Sequence, residues 1–218
     1  MNNNQIELNK GKFLPLGDLF FCKYQDSQIK VKDHFHLTIG QTPSTKNPKY
    51  YEKGTIKWIN SGVLTNLYFL TATTPTNKLI TELAVAERNL KFTQPNSVLI
   101  NLVGSNQNNF SLTWCQSGYH TFNQSVVNFC PVDNSTSWDL LAATLFFALR
   151  QVNFKEMAYG SVFLALTKTS LQNLEIDWVT NPNIQKLFLT LLNDKEWELE
   201  PIDERKPITK QKKVKKKK

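Results

Sequence analysis

The chain has 218 residues, 40% of them hydrophobic and 11% aromatic, which is enough for one domain with a real core and excludes a globally disordered chain. Its formal net charge of +8 comes from one place: residues 206–218, KPITKQKKVKKKK, hold eight lysines and no acid, and the rest has 18 basic against 18 acidic residues, so bulk charge argues for a basic tail and not for a basic face. Three irregularly spaced cysteines without a CxxC pair fit a reducing, cytoplasmic setting, no apolar run approaches the roughly 20 residues that span a bilayer, and MNNNQIELNKGK has no signal-peptide core.

In chain order, FLPLGDLFFCKY packs as a short helix or strand around Leu16, Leu19, Phe20 and Tyr24, and QDSQIKVKDH is polar. FHLTI (35–39) reads as the first strand of the central part, with His34 and His36 as ordinary histidines, since no third metal ligand accompanies them. IGQTPSTKNPKYYEKG (39–54) is a loop built from turn chemistry: Gly40 and Pro43 shape the backbone, Thr42 and Ser44 can bond it, and Asn47-Pro48 marks a second turn beside Tyr50 and Tyr51. A short strand follows, with Ile56, Trp58 and Asn60 opposite Lys57 and Ile59, and Ser61-Gly62 ends it. Residues 63–79 give a β-prone run and a Thr-Pro-Thr-Asn turn, and TELAVAERNL (81–90) is a short helix capped by Thr81.

SVLINLV (97–103) is a nearly continuous apolar strand, hence central and buried. GSNQNN (104–109) is an amide-rich turn, and FSLTW, YHTF and SVVNFC continue an antiparallel set, joined at Gln116-Ser117-Gly118. The strongest helix is 137–151, with Ser137 as N-cap and an apolar stripe of Trp138, Leu141, Ala142, Leu145, Phe146 and Leu149. VFLAL and LEIDW are further strands, and NPNIQKLFLTLL (181–192) returns to helical spacing with Ile184, Leu187, Phe188, Leu191 and Leu192. The expected fold is therefore α+β: a mixed, largely antiparallel sheet with packed helices and a short C-terminal helix.

Catalytic signatures are missing. Asn47-Pro48-Lys49-Tyr50 lacks the second proline of a DNA-methyltransferase site and no glycine-rich cofactor loop precedes it; Glu204-Arg205-Lys206 is a lone Glu-x-Lys in a polar tail; no P-loop, HExxH pair or nucleophile elbow occurs. Binding chemistry is better represented. Amides and basic groups reach base edges, while lysines, hydroxyls and backbone donors set phosphate register. One candidate loop holds Thr42, Ser44, Thr45, Lys46, Lys49 and Tyr50; Asn60 and Ser61 end its strand; Asn106, Gln107, Asn108 and Asn109 form a second loop; Lys78, Arg88 and Lys91 are phosphate candidates. For any single one of these the bland alternative is a solvated loop residue. Trp58 reads as core. Asn123 and Gln124 fall in an expected strand, as buried hydrogen-bond formers or as DNA contacts.

Four pieces in order resemble the target-recognition domain of the specificity subunits of type I restriction–modification enzymes: Gly40 to Tyr51 with Lys57-Trp58-Ile59, ITELAV with NSVLINLVG, FNQSV, and GSVFLALTKTSLQNLEI. The resemblance implies a non-catalytic subunit that binds double-stranded DNA and holds no cofactor. In that family two recognition domains are separated by helices that form a ruler, two modification subunits methylate adenine with S-adenosylmethionine, and restriction subunits using ATP and Mg may join. It also suggests residues 1–180 as the recognition domain, 181–200 as a remnant of the spacer and docking helix, and 201–218 as a disordered basic tail. With only about 28 Å of possible helix over 181–199, the spacer looks truncated. The stripe from Ile184 to Leu192 then either forms a homodimer, or pairs with another specificity chain, or packs on its own domain. Two alternatives stay open: a non-functional truncated cassette, and an RNA- or ribosome-associated protein held by its lysine tail.

Overall fold

A computed structural model describes residues 13–65, 67–105, 110–132, 138–160 and 163–193. In chain order the elements are α1 (Phe13–Tyr24), β1 (Ser27–Lys30), α2 (Val31–His34), β2 (Phe35–Ile39), a 3-10 turn (Pro48–Tyr50), β3 (Ile56–Ile59), α3 (Ser61–Leu64), β4 (Phe69–Leu70), β5 (Leu79–Ile80) and α4 (Glu82–Arg88). There follow β6 (Ser97–Asn101), β7 (Val103–Ser105), β8 (Leu112–Cys115), β9 (Thr121–Phe122), β10 (Val126–Pro131), α5 (Trp138–Arg150), α6 (Phe154–Met157), β11 (Phe163–Ala165), α7 (Lys168–Gln172), β12 (Glu175–Trp178) and α8 (Pro182–Asn193). The fold is α+β as the patterning predicts, with mostly antiparallel pairing; β3 with β9 and β4 with β8 are parallel.

The main sheet has the order β2-β10-β6-β8-β4, with β6 in the middle. All five positions of β6 are buried. Its side chains alternate between two clusters: Val98 and Ile100 face the helices, and Leu99 faces the smaller cluster around Ile59 and Phe122. A strand covered on both faces needs a continuous apolar run, which is what SVLIN nearly supplies.

Helix α5 departs from the one-sided stripe that its spacing predicts. Every residue from Ala142 to Leu149 is buried, because α1 and α8 pack on the side turned away from the sheet. Thr144 tolerates this burial by donating its hydroxyl to the Leu140 carbonyl at 2.8 Å. Phe147 meets Phe188 of α8 at 4.9 Å between ring centroids. A Cβ on Gly17 would fall on the Phe147 ring, so α1 reaches this distance only with glycine there. In α1 the core residues are Leu14 and Phe21, whereas Leu19 is 65% exposed and corrects its expected core role.

Helix α8 turns most of its stripe toward its own domain. Phe188, Leu191 and Leu192 are buried in the domain's own core, and Ile184 and Leu187 pack against the same cluster. For Phe188, Leu191 and Leu192 this corrects the partner-helix reading, since their side chains are already covered, whereas Ile184 and Leu187 stay half-buried. Gln185 reinforces the seat by donating to the Val179 carbonyl at 2.7 Å, and Gln116 donates to the Leu192 carbonyl at 3.0 Å. At 12 residues α8 is about 18 Å long. The expected continuation over residues 194–200 and the tail lie outside the described residues.

The polar stretch 25–34 holds β1 and α2. β1 pairs antiparallel with β12, Ser27 opposite Trp178 and Lys30 opposite Glu175. Asp26 anchors the ribbon: its carboxylate accepts from the Thr180 amide at 3.0 Å and the Thr180 hydroxyl at 2.7 Å.

Candidate nucleic-acid interface

A second, smaller lobe is built on the three-stranded sheet β5-β3-β9. Trp58 and Ile59, adjacent in β3, are both buried because each face of this strand is covered. Trp58 joins Tyr50, Ile80, Ala84 and Leu90 on one side; Ile59 joins Leu64, Leu99 and Phe122 on the other. Asn60 does not extend the strand. It caps α3, its side chain accepting from the Val63 amide at 3.1 Å.

The loop from Gly40 to Tyr51 is fastened to this lobe at many points. A Cβ on Gly40 would overlap the Phe122 carbonyl, so two backbones pass where only glycine fits. The Gln41 amide donates to the Phe122 carbonyl at 2.9 Å, and the Trp58 indole donates to the Gln41 carbonyl at 3.2 Å. The Tyr51 hydroxyl donates to the Pro43 carbonyl at 2.6 Å. Asn47 caps the 3-10 turn by accepting from the Lys49 amide at 3.2 Å, with Pro48 preset just inside it. Thr81 works twice: its hydroxyl oxygen accepts from the Ala84 amide as the cap of α4, and its proton goes to the Lys49 carbonyl at 2.9 Å.

Tyr50 belongs to the fastening and not to the outer surface. Its ring is buried and its hydroxyl donates to the Glu87 carboxylate at 2.7 Å. That bond, ahead of burial, raises the phenol's pKa above its ordinary value. Of the candidate contact residues the loop leaves Ser44, Thr45, Lys46 and Lys49 exposed, while Thr42 is half-buried with its hydroxyl on the Gln124 side-chain oxygen.

A neighbouring turn, residues 71–78, is held from within by Lys57, whose ammonium donates to the carbonyls of Ala72 at 2.6 Å and Thr74 at 2.7 Å. Lys57 is thereby a structural lysine. Lys78, exposed at the end of this turn, has its ammonium 5.8 Å from the centre of the Tyr51 ring. Arg88 ends α4 and is exposed; Lys91 is exposed with its ammonium 3.3 Å from the Asn89 side-chain oxygen. Ser61 is half-buried at the start of α3. The fold thus brings Thr42 to Lys49, Asn60, Ser61, Lys78, Arg88 and Lys91 onto one lobe. Asn106, Gln107, Asn108 and Asn109 lie outside the described residues.

The electrostatics of this lobe are hidden in the whole-chain sum. Residues 42–91 contain seven Lys or Arg against three Glu, an excess of four positive charges. His120 adds none near neutrality, since burial and then the Lys57 ammonium both depress its pKa. Burial pushes the Cys115 and Cys130 thiols up to about 11. Among the described residues no group of three or more His, Cys, Asp or Glu could hold a metal ion, and no helix is long and apolar enough to cross a membrane.

Sequence reasoning misplaced Asn123 and Gln124. They lie in a turn between β9 and β10, not in a strand, because the Asn123 side chain accepts from the Ser125 amide at 3.1 Å and bends the chain there. Asn123 is buried, as expected of a hydrogen-bond former, whereas Gln124 is exposed beside Thr42. The polar Asn-Gln-Ser run between Phe122 and Val126-Val127 was the signal for this turn.

The fold is similar to that of the HsdS subunit from Thermoanaerobacter tengcongensis, at 14% identity and TM-score 0.50 over 83% of this chain and 42% of that one. It is also similar to the type IIG restriction endonuclease BpuSI, at 11% identity and TM-score 0.53 over 84% of this chain and 28% of that one. The type I restriction-modification system S subunit from M. genitalium matches at 16% identity and TM-score 0.49 over 75% of this chain and 37% of its own. The chain spans less than half the length of each of these proteins. In sequence, the type I restriction modification DNA specificity domain matches residues 26–201. The match covers most of the chain and contains all four motif pieces, so the chain belongs to the family of type I restriction modification DNA specificity domains.

Proposed function

We propose that this chain reads one half of a bipartite double-stranded DNA target and recruits modification subunits, and where present a restriction subunit, to that site. The observation that carries the reading is the fastened loop of the small lobe. Its backbone and aromatic rings are committed inward, and its hydroxyls and lysines are left outward on a segment with four excess positive charges. Preorganised outward groups of this kind suit DNA, where phosphate contacts set position and amides or hydroxyls read base edges. Family members of this kind are generally non-catalytic. S-adenosylmethionine, Mg and ATP belong in this proposal to the partner subunits, and the setting is the cytoplasm. We place any pairing with a second specificity chain on a surface other than the buried Phe188, Leu191 and Leu192 of α8.

The test is co-expression with the modification subunit of the same genome, followed by sequencing of methylated adenines. A new methylation motif supports the reading; a folded, soluble chain that yields none sinks it and favours a non-functional cassette. Replacing Lys46 or Lys49 by Ala should weaken binding across all sequences and lower the salt slope by about one each. Deleting residues 206–218 separates a rival role in RNA binding, since tail-driven binding vanishes with the tail while site-selective methylation survives.

A further inference from the structure

Three chain segments meet at the C-terminal ends of the parallel strands β3 and β9. Residues 40–42 lie on one side of the 123–125 turn, through Gln41 to Phe122, and residues 59–61 on the other, through the Asn123 amide donating to the Ile59 carbonyl at 2.9 Å. The turn is closed by the Val126 amide on the Asn123 carbonyl at 3.1 Å, and Leu102 donates to the Ser125 carbonyl at 2.7 Å. Gln124 is the exposed residue of this otherwise fixed turn. Its side-chain oxygen accepts from the Thr42 hydroxyl, which is itself set by the Gly40–Phe122 crossing.

The consequence is chemical. An exposed glutamine normally samples many rotamers and presents oxygen and nitrogen alike. Here the oxygen is engaged by Thr42, and among the described residues the two Nε2–H donors are left for a ligand. In the major groove, donors match purine N7, guanine O6 and thymine O4, whereas the cytosine edge offers an amino donor instead. We propose that Gln124, oriented by Thr42, is a specificity-determining residue that donates from Nε2 to an acceptor on a base edge of the DNA target. This rests on the DNA-specificity reading above and adds to it a residue and a polarity of recognition.

The test uses the full chain in complex with its modification subunit and compares methylation motifs of wild type, Gln124→Glu, Gln124→Ala and Thr42→Val. In Gln124→Glu the carboxylate still accepts from Thr42 but the outward donor becomes an acceptor. One position of the motif should therefore shift by about tenfold toward a base that presents an amino group, cytosine or adenine. Gln124→Ala should lose discrimination at that same position, and Thr42→Val should blur it. Should Gln124→Glu not fold, Gln124→Ala decides alone. Motifs identical to wild type overturn the inference, and so does a uniform loss across all sequences with a lower salt slope, which marks a phosphate contact. A wild-type complex without any motif overturns the functional reading and this inference with it; a wild-type motif that the variants leave unmoved overturns this inference alone.

Discussion

The two parts of the molecule are held by different forces. The helical side is an apolar packing problem: α1, α5 and α8 press Phe21, Phe147 and Phe188 together beneath the central sheet. Among the described residues the small lobe has only five buried residues in its outer cluster and depends on directed bonds from Trp58, Tyr50, Tyr51 and Thr81 to backbone or carboxylate. Apolar packing is non-directional and fixes volume, whereas hydrogen bonds fix the path of a loop. The lesson is a division of labour within the loop itself: aromatic and backbone groups hold it, so the outward Ser44, Thr45, Lys46 and Lys49 can change without loss of shape.

That contrast can be broken most forcefully in the core. Phe188→Ala removes a ring packed between α1 and α5 and should cost about 3–5 kcal/mol by denaturant unfolding; a loss as small as that of a surface residue would mean that α8 is not core. Gly40→Ala forces a methyl group against the Phe122 carbonyl and should cost about 1–3 kcal/mol. It should also disturb amide exchange in the 40–51 loop while leaving α5 protected. Thr81→Ala removes the α4 cap together with the bond to Lys49, at about 1 kcal/mol, and should loosen the loop before it lowers the global melting temperature.

The finest effect is on acid stability. The Thr180 hydroxyl, against the opposing effect of burial, holds the Asp26 carboxyl below its ordinary 3.8. A depressed folded value stabilises fully above the unfolded one, and that stabilisation fades as pH falls through the lowered value. Asp26→Asn should flatten this acid-limb dependence, and unchanged acid melting curves for the two proteins would remove Asp26 from the account of the β1–β12 ribbon.

Most elements were legible where one local pattern decides them. The continuous apolar run gave β6 at the centre of the sheet, and Thr81 marked the start of α4. Elements that depend on a distant partner were not legible. β1 reads only as a polar stretch because its strand partner is some 150 residues away in sequence, so only pairing with β12 makes it a strand. The 123–125 turn was likewise hidden, since one side-chain bond from Asn123 decides it against the β-prone residues on either side.

By itself, then, the sequence determined the α+β class, the family motifs and the polar loop from Gly40 to Tyr51, because turn chemistry, periodicity and capping are local properties of the chain. Only the tertiary structure decided that the α8 stripe faces inward, that Tyr50 is buried and that seven basic residues share one lobe. It alone set Gln124 against Thr42, 82 positions apart. An amphipathic stripe or an amide is chemically the same whether it faces its own core, a partner or DNA, and which one it meets is fixed by long-range packing.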